Sequence, residues 1–77
     1  EDEKFKEGVS IYPNPVKVKL QINCDISIDE IIILDYKGRK VYIGQDKNID
    51  VSEFNPGLYM INVKTSLGEV TKRFIKY

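Results

Sequence analysis

The 77-residue sequence contains no histidine and no tryptophan, and it has a single cysteine. Histidine is the commonest general base and the commonest metal ligand, so its absence argues against nucleophilic triads and zinc sites. The glycines are isolated, which excludes a phosphate-binding loop. None of the serines lies in a Gly-x-Ser-x-Gly motif: Ser10, Ser27, Ser52 and Ser66. The sequence therefore predicts a protein that is not an enzyme and that needs no cofactor or metal.

An excess of charge of one sign is also missing, because 12 lysine and arginine residues balance 12 aspartate and glutamate residues. Nucleic-acid affinity depends on neutralising phosphates, so no nucleic-acid partner is expected. There is no run of about 18 apolar residues, and no membrane insertion of the chain's own is expected. Cys24 cannot close a disulfide within the chain and is predicted to be a small buried or half-buried residue, with a reactive or intermolecular thiol as the alternative.

Acidic residues are candidates for a calcium loop or for turns. The segment from Asp46 to Asp50 matches the start of a calcium loop, but Val51 and Gly57 occupy the places of the required Gly and Glu. We therefore expect a solvated loop stabilised by Asx turns. Asp35 precedes a turn, and its carboxylate is predicted to accept backbone hydrogen bonds there.

Apolar residues alternate with polar ones along most of the chain, which predicts strands. Between Lys17 and Asn23, the residues Val18, Leu20 and Ile22 fall on one face of a predicted half-buried strand. No segment shows a helical period of useful length.

Ile31 to Leu34 is apolar on both faces and is predicted to be either a central strand that is covered on both sides or a strand that changes sheets. Tyr36-Lys37-Gly38 is predicted to close a hairpin with Gly38 in the left-handed region, and the chain then returns through Val41 and Ile43. Asn55-Pro56-Gly57 is predicted to be a type II turn. A last hairpin follows, and three of its residues are expected to point into the core: Tyr59, Ile61 and Val63.

These elements predict an all-β fold, a compact antiparallel β-sandwich of immunoglobulin-like or Greek-key type with roughly six or seven short strands. Residues 1–8 are polar and are predicted to be a linker from an upstream part of a longer protein, and residues 9–77 are predicted to form the domain. The first residues, Glu1-Asp2-Glu3-Lys4, include no initiator methionine and favour the same interpretation.

Three motifs follow one another along the chain: Tyr12-Pro13-Asn14-Pro15, Asp35-Tyr36-Lys37-Gly38, and Gly57-Leu58-Tyr59 with a basic end at Lys72 to Lys76. Their order resembles that of the C-terminal sorting domains, or Por secretion system tails, carried by cargo proteins of the type IX secretion system. The residues that carry the resemblance are structural: Pro13, Asn14, Pro15, Asp35, Gly38, Gly57 and Tyr59. Arg73 beside Lys72 and the final Tyr77 depart from the family pattern, so which terminal basic residue matches the family's is left open.

The resemblance implies a secretion signal that directs a cargo protein across the outer membrane of Gram-negative Bacteroidetes through the type IX translocon. It further implies that a sortase-like protease usually cleaves the domain on export, in or upstream of the linker. The implied partners are the translocon, the sortase-like components and the upstream cargo domain. The implied location is secreted or on the outer-membrane surface, reached through the periplasm. The residues expected to be recognised by the translocon lie at the end of the chain: Lys72, Arg73, Phe74, Ile75 and Lys76.

An alternative from another class is an accessory immunoglobulin-like module that binds carbohydrate or protein and belongs to an extracellular enzyme or adhesin. Sandwich folds host many functions, so the architecture alone does not separate the two. A carbohydrate-binding module would present an aromatic platform, and exposure of Tyr36 and Tyr42 on one flat face would favour it. Amphipathic packing of the tyrosines is the competing interpretation.

Overall fold

A computed structural model describes residues 8–77, and this part of the chain forms seven strands and no helix. The all-β prediction is therefore confirmed. None of the described residues belongs to a helix that could span a bilayer. The strands are β1 (Ser10–Tyr12), β2 (Lys19–Asn23), β3 (Ile28–Leu34), β4 (Lys40–Gly44), β5 (Asn48–Asp50), β6 (Gly57–Thr65) and β7 (Gly68–Lys76).

The strands form two antiparallel sheets that pack face to face. The smaller sheet has the order β1-β2-β5, and the larger has the order β4-β3-β6-β7. The chain crosses between the sheets after β2, after β4 and after β5, so each sheet is completed by strands that are distant in sequence. One cluster of buried apolar residues lies between the sheets, which confirms the predicted sandwich.

The smaller sheet follows the predicted alternation with one difference. Leu20 is fully buried and Ile22 nearly so, while Val18 is 53% exposed. The prediction that Val18 shares their buried face is wrong, because β2 begins only at Lys19 and the chain bends before it. Cys24 follows β2 and is buried without a disulfide, as expected.

β3 is the central strand of the larger sheet, as predicted, but only one of its faces is covered. Ile31 and Ile33 are fully buried against the smaller sheet. Ile32 and Leu34 point the other way and are half-buried. The prediction of cover on both sides is wrong within the described residues, because the second sheet packs on one face only.

β4 is confirmed as the partner of β3, and the side chain that it directs toward the core is that of Tyr42. Val41 and Ile43 are 40% and 57% exposed, whereas Tyr42 packs against the core. The ring of Tyr42 lies back over Gly44 and leaves no space there for a Cβ atom. A register shift between β3 and β4 after Ile33 accompanies this arrangement, because a bulge changes which side chains face inward.

Glycine shapes two of the turns. Gly38 has φ 83°, which confirms the predicted left-handed residue in the hairpin between β3 and β4. Gly57 has φ 149°, far from the roughly +80° of the third residue of a type II turn, so that turn assignment is wrong. The chain bends at Pro56, and Gly57 is already the first residue of β6.

β6 and β7 form the longest hairpin and pair over their whole length, from Gly57 opposite Lys76 to Thr65 opposite Gly68. The three residues predicted to point into the core are buried: Tyr59, Ile61 and Val63. Phe74 on β7 is only 1% exposed and is among the largest fully buried side chains. Burying a side chain of this size contributes about 1.5–3 kcal/mol, so β7 is a structural part of the core.

Candidate functional site

The terminal strand β7 presents two different faces. Phe74 and Lys76, which are 1% and 7% exposed, lie on the side that faces the core, and Lys72 on the same side is half-buried. Arg73 and Ile75 lie on the opposite side and are exposed. The five terminal residues predicted from the sequence therefore separate into a supporting group and an accessible pair.

Asn14 holds the outer edge of β7. Its side-chain oxygen accepts a hydrogen bond from the backbone N–H of Ile75 at 2.9 Å, and its Nδ2 donates to the carbonyl oxygen of Arg73 at 3.3 Å. The side-chain amide has one acceptor and one donor side, so it pairs with the strand edge as a backbone peptide group would. The peptide bonds before Pro13 and before Pro15 are both cis.

Val16 continues this contact toward the end of the chain. Its N–H donates to the carbonyl oxygen of Ile75 at 2.9 Å, and its carbonyl accepts the N–H of Tyr77 at 3.0 Å. Val16 thus forms a parallel bridge with Lys76, and its own side chain is fully buried. The segment from Asn14 to Val16 covers the final part of the β7 edge.

Tyr59 supports the same strand from its other edge. It pairs directly with Phe74, and their rings stack with centroids 5.5 Å apart. On its other side, the ring of Phe54 lies 5.2 Å away. The Tyr59 hydroxyl donates to the carbonyl oxygen of Asn55 at 2.6 Å. Burial, with a smaller effect from the charge of Asp35, raises the pKa of Tyr59, so it stays a neutral donor.

Asp35 closes the hairpin between β3 and β4. One carboxylate oxygen accepts the backbone N–H groups of Lys37 and Arg39, each at 2.9 Å, and the other accepts Arg39 Nε at 3.0 Å. The backbone N–H of Arg39, more than any other group, lowers the pKa of Asp35. The predicted structural role of this carboxylate is confirmed.

All three sequence motifs therefore meet at one end of the molecule. Asn14 from the first motif and Tyr59 from the third both contact β7. Asp35 from the second lines a surface depression together with Tyr59. Residues that lie far apart in the sequence thus fix the position of one strand. This arrangement holds a surface in place, because the polar groups of Asn14, Asp35 and Tyr59 already form hydrogen bonds within the domain.

The sequence matches the family described as "secretion system C-terminal sorting domain" over residues 10–77. The chain belongs to this family. The comparisons with curated proteins and with solved structures gave no match. The sorting domain is a C-terminal signal for type IX secretion, and its cargo protein is exported across the outer membrane. Such a tail interacts with the type IX secretion machinery and is joined to an upstream cargo domain. The family is one of sorting signals and not a catalytic family.

The alternative of a carbohydrate-binding module is not favoured. Tyr36 is 74% exposed at the hairpin tip, but Tyr42 is half-buried against the core, so the two do not form a platform. Asp46 and Asp50 accept backbone hydrogen bonds from residues two places ahead, which confirms the Asx turns. Within residues 8–77, no group of three or more His, Cys, Asp or Glu side chains is placed to hold a metal ion.

Sequence reasoning identified Asn14 as part of a motif but did not predict its contact with β7, 61 residues away from Asn14 at Ile75. It also missed Val16 and Phe54. The sequence did contain an indication for Asn14. The two flanking prolines interrupt regular backbone pairing, so the side chain of a polar residue between them is available to form hydrogen bonds with another strand. No comparable signal identified Val16, because a single valine after a proline is found in many turns.

Proposed function

We propose that the sorting domain is recognised by the type IX translocon as a folded surface formed around β7, and that it performs no chemistry itself. The observation that supports this most directly is the contact of Asn14 with the backbone of β7. A signal recognised as an extended peptide would need no such support. In contrast, a signal recognised by shape requires its terminal strand to be held in one position.

Within this proposal, the terminal residues have different roles. Arg73 and Ile75 are exposed and contact the receptor, while Phe74 and Lys76 maintain the strand from the core side. Lys76 Nζ donates to the carbonyl oxygen of Tyr77 at 3.1 Å, which is consistent with a supporting role. Lys72 is half-buried on the core side and contributes its charge at the rim.

The receptor can bind this hairpin by strand addition, in which an extended segment of the receptor pairs with the free edge of β7. In an antiparallel ladder, alternate residues direct their backbone groups to the same edge. The groups of Ile75 point to the outer edge, so those of Glu69, Thr71 and the N–H of Arg73 do as well. Because Asn14 and Val16 occupy the final part of this edge, the added strand pairs between Glu69 and Arg73.

The proposal includes cleavage of the domain by a sortase-like protease on export, before Val9 in the predicted linker of residues 1–8. Val9 is buried in the domain core, so a cut before it would leave the folded unit intact. The cargo then remains on the outer-membrane surface or is released from the cell.

The test is export of a reporter protein carrying this chain at its C-terminus, in a bacterium with a working type IX system. We expect the exported fraction to fall strongly when Arg73→Ser and Ile75→Ser are combined, because both side chains are exposed and leave the core intact. Deleting residues 74–77 is expected to abolish export, but it also removes the buried Phe74 and unfolds the domain.

The matched control is the pair Lys37→Ser and Val18→Ser, which also removes one exposed cation and one exposed apolar side chain, away from β7. This pair should be exported like the wild type. Export of the Arg73 and Ile75 double variant at the wild-type level, with a wild-type melting curve, would contradict recognition through the terminal strand.

A further inference from the structure

The face of the larger sheet that points away from the smaller sheet is called the outer face. The register of the four strands places its side chains in rows across the sheet. One row, called the central row, consists of Lys40, Leu34, Met60 and Arg73 in that order. On one side of it, Leu58 pairs with Ile75. On the other side lies the row Ile43, Ile32, Asn62 and Thr71.

The outer face carries several partly exposed apolar side chains. Met60, Leu58, Ile75 and Ile43 are 41%, 41%, 43% and 57% exposed. Ile32 and Leu34 between them are half-buried and line a depression of about 400 Å³. Contiguous exposed apolar residues bordered by polar ones are typical of a surface that binds another protein.

The charges on the outer face are arranged unevenly. At one border, Lys64 lies between Glu30 and Glu69 in register, and its Nζ is 3.9 Å from Glu30. Two carboxylates thus flank one ammonium group, and this border carries a single excess negative charge. In the central row, Lys40 and Arg73 bracket two apolar residues, and among residues 8–77 neither cation forms a salt bridge. Three cations and two carboxylates lie on this face, so its net charge is positive, and Lys40 and Arg73 lie on either side of its apolar centre.

We propose that the outer face is the surface by which the sorting domain docks on a protein of the export machinery. The partner presents apolar side chains that cover Leu34 and Met60, flanked by two carboxylates that pair with Lys40 and Arg73. The row spans three strand spacings, so these carboxylates lie about 14 Å apart. This inference rests on the proposed function and specifies where, and with which chemistry, the receptor contacts the domain.

Charge complementarity favours this occupant over a second copy of the chain. Two outer faces packed together would bring the four cations of two central rows into one interface, while the glutamates of each copy remain beside its own Lys64. A sugar is also disfavoured, because none of the tyrosines or phenylalanines in residues 8–77 lies in these rows.

The experiment compares two outer-face variants with two controls in the reporter export assay. The variants are Met60→Asp and the double variant Lys40→Glu with Arg73→Glu. The controls are Val18→Asp and the double variant Lys17→Glu with Lys37→Glu, which make the same chemical changes at exposed positions outside the outer face. We expect the exported fraction to fall at least about tenfold for both outer-face variants and less than about twofold for the controls. Melting curves of the purified chains should show that all variants are folded.

The outcomes separate this inference from the proposed function. If a reporter with the wild-type chain is not exported, the proposed function fails. If the wild type is exported and the folded outer-face variants are exported equally well, the inference is overturned together with the proposed contact of Arg73 with the receptor, while the role of the chain as an export signal stands. The inference is also overturned if the purified wild-type chain forms dimers in sedimentation experiments and Met60→Asp abolishes them. A last outcome concerns lipid. If the wild-type chain binds vesicles of phosphatidylglycerol, and Lys40→Glu with Arg73→Glu abolishes this binding but leaves export unchanged, the outer face binds lipid and the inference is overturned.

Discussion

The two faces of the larger sheet are built from alternate residues of the same four strands, yet they differ in almost every property. On the inner face, Ile31, Ile33 and Ile61 are fully buried against the smaller sheet. On the outer face, Met60 and Ile75 remain about two-fifths exposed. The inner face determines that the chain folds, and the outer face is free to carry recognition because the fold does not depend on it. The four predictions below test this division, from the largest expected effect to the smallest.

The neighbours Phe74 and Ile75 provide the strongest test, because they are adjacent in sequence and lie on opposite faces. Phe74→Ala should lower the free energy of unfolding by about 3–5 kcal/mol through lost burial and a cavity. A domain of this length has about 4–12 kcal/mol in total, so the variant would lose at least about a quarter of its stability. Ile75→Ala should cost less than about 1 kcal/mol. Urea unfolding followed by circular dichroism measures both, and equal losses would remove the distinction between the faces.

Asn14 tests whether the edge of β7 needs its side-chain contact. Asn14→Ala leaves the N–H of Ile75 without its acceptor and should lower the free energy of unfolding by about 1–3 kcal/mol. Hydrogen exchange at the Ile75 amide should accelerate more than at the Ile61 amide. Asn23→Ala, an exposed asparagine on β2, is the control and should change stability by less than about 0.5 kcal/mol. Unchanged exchange at Ile75 would show that the contact is not formed in solution.

The pH dependence of stability tests how much the carboxylate of Asp35 contributes to the fold. Its pKa in the folded state is lowered, chiefly by the backbone N–H of Arg39, so the unfolded chain binds the proton more readily. The stabilisation from its charged form is complete above the ordinary aspartate pKa of about 3.9 and is lost as the pH falls through the lower folded value. Asp35→Asn should flatten this acid-dependent part of the melting temperature, measured between neutral pH and the onset of acid unfolding. If the melting temperature of Asp35→Asn depends on pH as steeply as that of the wild type, the acid sensitivity arises from other carboxyl groups.

Lys64 provides the smallest expected effect. Its pairing with Glu30 at 3.9 Å involves two side chains that are 46% and 40% exposed, and such pairs contribute about 0–1 kcal/mol. Lys64→Gln should therefore change the midpoint of urea unfolding less than Asn14→Ala does. Should the loss exceed that of Asn14→Ala, the charged row on the outer face would be part of the support of the fold.

Several features of the fold could be predicted from local sequence. Alternation identified Tyr59, Ile61 and Val63 as core residues, and the position of Gly38 indicated the left-handed residue of its hairpin. The predictions that failed required knowledge of partners. The inward face of β4 was not predicted, and Tyr42 rather than Val41 or Ile43 packs against the core beside a bulge in the β3–β4 ladder. Bulges depend on how two strands are fitted together, and neither strand encodes them alone.

The candidate site was predictable in part for the same reason. Asn14, Asp35 and Tyr59 were identified as members of motifs, yet the contacts of Asn14 and Tyr59 with the end of β7 were not foreseen. Hydrogen bonds between Asn14 and Arg73 or Ile75 join residues about 60 positions apart, and no local pattern predicts which distant strand a polar side chain will contact. The uncovered outer face was missed because the apolar run from Ile31 to Leu34 is equally compatible with cover on one side or on both.

The sequence by itself determined that this protein is a small all-β unit that contains no histidine, because strand alternation, turn residues and composition are local properties that no packing can alter. The tertiary structure decided which side chains of the terminal strand are accessible and which are buried. It also decided that Asn14 and Val16 cover part of that strand's edge, and that the outer face carries beside its apolar residues two cations that form no salt bridge with any of residues 8–77. Those outcomes depend on the register between strands that are distant in the chain, and register is fixed only when the two sheets pack together.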